Sequence, residues 1–423
     1  MNKTLSYYKA LCFAIVFLLI ATPLSVKAGV AILNMITVSY DNSLDETLPA
    51  VAYNSQRQEY LVVWYNDRAG NDDIIAQRVS VNGTLIGGKF YISAGVGADR
   101  RYPKVAYNSK QDQYLVVWEH YDTSSGYYDI KCRRVDGSGY VLDASDILIE
   151  SGSNLHTPSK LAVSYASTPD RYLVVWEDVW HPIPIQYTIY GQVITPQGAL
   201  EGSDFTISAG TDQRQEPDLA YNRHANRYLV VWQQKAGTLW AVHGQQVKGD
   251  GGTYQGDILI AYYSGDCEYP SVASIPNTQT NEKFLVVWQL EYSTSPSIHN
   301  IYGIVINEDG SLASSDVKIL LSYTDTTVPS VAGDETSQQY LVAWQNPLAA
   351  GDNPIYARAL SYDGALKGEV ANLEGQDANY PAVASGPNGD FFTVWQDKPT
   401  GATTTGIFGH LWGNRLFMPL TIK

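Results

Sequence analysis

Tyr60-Leu61-Val62-Val63-Trp64 is the stretch that decides the fold, because the chain writes it seven times. YLVVW returns ending at Trp118, Trp176 and Trp232, FLVVW ends at Trp288, YLVAW at Trp344 and FFTVW at Trp395. The steps between these tryptophans are 54, 58, 56, 56, 56 and 51 residues, so the period is real and drifts only by loop length. A unit of this size is one supersecondary module that cannot bury its apolar faces alone and must stack on neighbours. An unbroken run of β-branched and aromatic residues is what a strand buried on both faces requires.

Working outward, each unit opens on a proline: Pro49, Pro103, Pro158, Pro217, Pro270, Pro329 and Pro381. Proline suits the start of a short strand, where a missing N–H does least harm. Alanine follows three residues later at Ala52, Ala106, Ala220, Ala273, Ala332 and Ala384. In the third unit it is Ala162, one residue further on, which predicts a bulge in that unit. Polar segments such as AYNSQRQEY (52–60) and AYNSKQDQY (106–114) turn this strand into YLVVW. A third strand starts at Ile74, Ile130, Ile189, Val242, Ile301, Ile355 and Ile407. Two residues on, the side chain is always small: Ala76, Cys132, Gly191, Gly244, Gly303, Ala357 and Gly409. Cys132 therefore reads as packing, and with Cys267 it is expected to be a free thiol. A glycine turn and a fourth strand follow, as in Phe90–Ser93, Ile147–Glu150, Phe205–Ser208 and Ile258–Ala261.

Four short antiparallel strands written seven times resemble a seven-bladed β-propeller, an all-β ring that protects its sheet edges by radial closure. Ile36–Ser39 lies ten residues before Pro49, as Ser93 lies ten before Pro103. The N-terminal segment is thus a fourth strand without its own blade and is expected to complete the last one. Leu416–Ile422 competes for that place but carries Pro419.

The domain reading is a signal peptide over 1–28, the propeller over 29–415 and a short apolar tail over 416–423. Lys3 and Lys9 flank an apolar Ala10–Leu24, and Val26-Lys27-Ala28 offers small residues for cleavage. Removing that segment takes away three lysines and no acids, which moves the net charge from −15 to −18. Such a balance argues against nucleic acid as a partner. The expectation is a secreted or cell-surface monomer, not inserted in the membrane after cleavage, whose partner is an extracellular glycan or protein. A hydrophobic share of 44% leaves ample core and excludes global disorder.

The connections from second to third and from fourth to first strand are the long, variable ones, and they share one face. Trp180 and Trp240 stand there outside the repeat, with Tyr127, Tyr128 and Tyr292 in neighbouring loops. They serve either as ligand-stacking platforms or as packing that holds the loops down. The residue after each repeat tryptophan is Tyr65, Glu119, Glu177, Gln233, Gln289, Gln345 or Gln396. One role for it is to bond backbone groups of a neighbouring blade. The sharper alternative makes Glu119 and Glu177, with Asp178, a glycosidase-type carboxylate pair. Asp67, Asp72 and Asp73, beside Asn66 and Asn71, form an oxygen-rich loop of the kind calcium favours, without EF-hand spacing. No cofactor motif is present.

The segment WYNDRAGNDDIIAQRVSVNG (64–83) is similar to blades of sialidase-type propellers, yet no copy carries the Asp-box ending. Seven blades and the lack of an arginine trio also depart from that family, so sialidase activity is not implied. The YLVVW repeats and the tail LFMPLTIK (416–423) resemble secreted bacterial propeller-repeat proteins. Fold leaves function open: a binding module is the leading reading, with a glycan-active hydrolase and a purely structural surface component as alternatives.

Overall fold

The computed structural model describes residues 35–413, apart from 69, 182–183, 276–281, 295–296, 314, 320–325 and 348–352. The expected signal peptide, the tail and the competing strand at 416–422 lie outside the described residues.

Seven four-stranded antiparallel sheets follow one another around a ring as blades one to seven. In six of them the strands run in sequence order; the seventh has its outer place filled by Ile36–Tyr40, paired to Gly406–Trp412. Ring closure joins the two ends of the described chain, as the ten-residue spacing predicts. It is reinforced where the Thr405 N–H donates to Asp45 Oδ1 (2.7 Å) and the Leu48 N–H to Gln396 Oε1 (2.9 Å).

The double burial of YLVVW has a simple geometry. Successive side chains of a strand point to opposite faces, so Leu61 and Val63 pack with Trp118 of blade two, while Tyr60, Val62 and Trp64 pack with Phe392 and Val394 of blade seven. Each core cluster lies between two sheets, and all seven repeat tryptophans are fully buried. The third-strand slot must be small because side chains from the adjoining strands of the same blade fill the space beside it. A Cβ at Gly409 would stand 2.7 Å from the Phe392 ring, and one at Gly244 2.8 Å from Ile260 Cδ1. Cys132 and Cys267 are buried free thiols.

One expectation is corrected. The bulge is not peculiar to the third unit, because every inner strand shifts register at the same place. In blade three Leu161 pairs with Trp176 and takes the position that proline holds elsewhere, while Pro158 pairs with Asp178 further out. Ala162, opposite Val175, is therefore the counterpart of Ala50, and Ser164 that of Ala52. Among the described residues no helix is long and apolar enough to cross a membrane.

Candidate binding site at the axial mouth

The inner strands start on the face that carries the long connections, and each bulges soon after it starts. The bulged residues are Leu48, Tyr102, Lys160, Glu216, Tyr269, Val328 and Tyr380, all with φ between 50° and 55°. A left-handed conformation costs a non-glycine residue on the order of 1 kcal/mol and persists only where its surroundings impose it. Here the residue after each repeat tryptophan imposes it across the blade junction. Its side-chain oxygen accepts the N–H of the next blade's bulged residue: Glu119 from Lys160 (2.7 Å), Glu177 from Glu216 (3.1 Å), Gln233 from Tyr269 (2.8 Å). Gln289 takes Val328 (3.1 Å), Gln345 takes Tyr380 (3.0 Å) and Gln396 takes Leu48. Tyr65 is the exception, meeting the Tyr102 ring at 6.3 Å.

Six of these residues, all but Lys160, line the mouth of an axial cavity of about 320 Å³, and Lys160 adjoins it through its ion pair with Glu216. Lys160 Nζ lies 3.0 Å from Glu216 Oε1 and 5.1 Å above the Tyr102 ring. Tyr269 and Tyr380 are 39% and 44% exposed, far more than core aromatics. One rung deeper the wall is small or polar, with Ala50, Ala162 and Ala382 beside Lys104, Asp218, Ser271 and Ser330. Asp218 accepts hydrogen bonds from the Ser271 hydroxyl (3.0 Å) and the Val272 N–H (2.9 Å). Burial pushes its carboxyl up, against the pull of those donors and of Lys104.

Glu119 and Glu177 thus sit beneath the mouth with Lys160 and Glu216 above them. Burial pushes Glu119 up to about 7, opposed by the Lys160 N–H. Burial, helped by the Glu216 charge, pushes Glu177 up to about 8. Glu177 uses both oxygens, the second meeting the Ser159 hydroxyl at 3.1 Å. Asp178 does not join them. The next residue of a strand points the other way, and Asp178 is buried against His156 Nδ1 at 3.0 Å.

The remaining candidates are held by the chain itself. Trp180 stacks on His156 (centroids 4.7 Å, 15°), and Trp240 lies under Lys235 Nζ at 4.9 Å. Tyr128 packs on Tyr121 at 4.8 Å, and Tyr127, like Tyr128, is 37% exposed. The Tyr292 side chain lies outside the described residues. In the acidic loop Asp72 bonds Arg101 Nε (2.5 Å) and the Arg68 N–H (2.7 Å). Asp73 bonds Arg68 Nη1 (2.7 Å) and the Gly95 N–H (3.0 Å), and Asp67 is exposed. Those oxygens latch blade one to blade two. Among the described residues no group of three or more His, Cys, Asp or Glu could hold a metal ion.

Sequence reasoning missed the mouth itself. Its signal was an invariant position with varying chemistry: the residue before each proline is Leu48, Tyr102, Glu216, Tyr269, Val328 or Tyr380. Pro158 concealed the seventh member, Lys160.

The fold and this mouth define a seven-bladed β-propeller with an axial recess. No protein-family model matches the chain, and no curated protein matches it. Among solved structures it is similar to a protein of unknown function from Dyadobacter fermentans, with 10% identity over 92% of this chain and 100% of that one, TM-score 0.57. It is also similar to the α-L-arabinanase of Penicillium chrysogenum (12% identity, 90% and 98% covered, TM-score 0.49). A third is the GH93 α-L-arabinofuranosidase of Fusarium graminearum (10%, 74% and 92% covered, TM-score 0.47). At these identities the likeness is one of fold.

Proposed function

We propose that the protein is an extracellular binding module that takes a carbohydrate at the axial mouth without cleaving it. The observation that carries this reading is the ring of Tyr102, Tyr269 and Tyr380 around the Lys160–Glu216 pair. Aromatic faces stack on the apolar faces of sugar rings, and a cation–carboxylate pair offers donors and acceptors to hydroxyls. A volume of about 320 Å³ suits a chain end of one or two sugars, at the small end of ligand pockets. The basic-then-apolar N-terminal segment supports export.

Hydrolysis is the second reading, because a carboxyl protonated near neutral pH is what a general acid requires. Two facts weigh against it: both oxygens of Glu177 are already engaged, and Asp178 faces away.

Screening the purified protein on a panel of polysaccharides tests the reading. We expect binding without turnover, weakened about tenfold or more in Tyr269→Ala or Tyr380→Ala, as for aromatic hot spots. Binding that ignores both substitutions would sink the axial site. Turnover abolished in Glu177→Gln would replace binding by hydrolysis. Trp180→Ala and Trp240→Ala decide whether the ligand also extends over blades three and four.

A further inference from the structure

We infer that Glu119 and Glu177 are the positioning residues of the axial mouth, acting as neutral carboxylic acids where glutamine serves elsewhere in the ring. The mouth is then fully assembled while they hold their protons and loosens when they ionise. Only the effect on ligand binding rests on the proposed function; the effect on the protein itself does not.

Four of the six stapled junctions use an amide: Gln233, Gln289, Gln345 and Gln396. The two carboxyls occur on either side of blade three. Gln345 shows what the position asks for. Its Oε1 accepts the Tyr380 N–H, while its Nε2 donates to Thr327 Oγ1 (2.9 Å), the residue just before its own blade's bulge. Glu177 meets equivalent partners, the Glu216 N–H through Oε2 and Ser159 Oγ through Oε1. Ser159 stands just before Lys160, as Thr327 stands just before Val328. A protonated carboxyl matches the amide, with one oxygen accepting and one O–H donating to a hydroxyl that can rotate. A carboxylate would instead accept from the Ser159 hydroxyl, holding its charge at a site where Glu177 is only 6% exposed.

Burial and the Glu216 charge favour the neutral form, whereas Lys160 and, at Glu119, Arg101 oppose it. Glu177 faces the Glu216 carboxylate, the Lys160 ammonium and the Ser159 hydroxyl. Glu119 faces Lys160, Glu216, Arg101 and Tyr128. Arg101 is itself bound to Asp72 and lies 3.6 Å from Asp99. His156 and Asp178 lie on the other side of the strand. Glu119 holds the N–H of Lys160 and Glu177 that of Glu216, so each positions one member of the mouth's ion pair. Ionising both would set two further negative charges beside Glu216, and burial already presses both carboxyls up, to about 7 and about 8.

The test is thermal unfolding from pH 5 to 9 for the wild type, Glu119→Gln, Glu177→Gln, the double Gln variant and Glu177→Ala. The wild type should lose stability across this range, because unfolding releases both protons. The double Gln variant should match the wild type at pH 5 and melt about 3 °C or more above it at pH 8.5. Glu177→Ala should melt lower at both. Gln variants that follow the wild type at every pH, or fall with the Ala variant at pH 5, would overturn the inference. Carbon-13 NMR of glutamate-labelled wild type needs no variant: two carboxyl resonances should titrate above pH 6, and finding none there would overturn it as well. On a bound polysaccharide, the wild type should lose about threefold or more in affinity between pH 6 and 8.5, and the double Gln variant should not. If no polysaccharide binds while the melting profile follows, the binding reading fails alone.

Discussion

The two faces of the ring share one backbone symmetry and use it in opposite ways. On the hairpin-turn face three of the seven blades carry the same asparagine at the end of the inner strand and use it in the same way. Asn54, Asn108 and Asn222 are fully buried, and each caps its own hairpin. Each also reaches across the junction, to Asp112 Oδ1 (2.8 Å), Asp170 Oδ1 (2.9 Å) and the Glu282 carbonyl (3.1 Å). At the mouth the backbone is just as regular, yet seven equivalent positions hold three tyrosines, a lysine, a glutamate, a leucine and a valine. Where blades share that contact across the junction, they share the residue that makes it. At the mouth, the bulged residue's N–H serves the junction and its side chain is free to differ, which is where recognition can be built.

The largest effect expected from this contrast is on the hairpin face. Asn108→Ala removes the cap on the Lys110 and Gln111 N–H groups and the bond to Asp170. Buried groups left unpaired cost about 1–3 kcal/mol, so a loss of about 3 kcal/mol in denaturant unfolding is expected, with ligand affinity of the folded protein unchanged. A loss below about 1 kcal/mol would break the comparison.

Next in size, the faces make opposite demands on pH. Asp112 and Asp170 are buried enough to raise them, but the donors around them outweigh burial. Asn54, Arg57 and Tyr107 hold Asp112 below the usual carboxylate range, and Tyr165, Asn108 and Gln111 hold Asp170 there. Their contribution is present above the usual aspartate value and is lost as pH falls through the lowered one. Glu119 and Glu177 run the other way. Their contribution is full below the usual glutamate value of 4.5 and is lost as pH climbs towards about 7 and about 8. Stability should peak in mildly acidic solution, with Asp112→Asn moving only the acid limb and Glu177→Gln only the alkaline one. A single substitution that moves both limbs would show that the faces are not independent.

The legible part of the molecule was whatever the chain states locally. Blade number followed from the tryptophan period, and closure from the spacing of Ile36–Ser39 to Pro49, since strand and turn lengths fix position along the ring. The mouth was not legible, because its chemistry arises between residues a whole repeat apart. Lys160 and Glu216 are 56 positions apart in sequence and 3.0 Å apart in space. A left-handed bulge also has no residue signature of its own, and Pro158 imitated the repeat proline from three residues away. Singular residues such as Trp180 drew notice for standing outside the pattern, whereas Tyr269 and Tyr380 lay within it and changed only its chemistry.

The smallest effect on stability, and the sharpest on the comparison, belongs to Tyr269 and Tyr380. Both side chains stand at a bulge whose backbone N–H is already secured by Gln233 or Gln345. Neither side chain carries a blade-to-blade hydrogen bond of the kind that Asn108 makes. Their exposure, 39% and 44%, leaves little burial to lose on truncation. Alanine in either place keeps a side chain compatible with the strand but not with an easy left-handed conformation, a demand tyrosine already met at similar cost. The double Tyr269→Ala/Tyr380→Ala variant should therefore unfold within about 0.5 kcal/mol of the wild type, as surface substitutions do, while polysaccharide binding falls by about tenfold or more. If the double variant is instead destabilised as much as Asn108→Ala, the mouth residues are part of the blade contacts and the division between the faces fails.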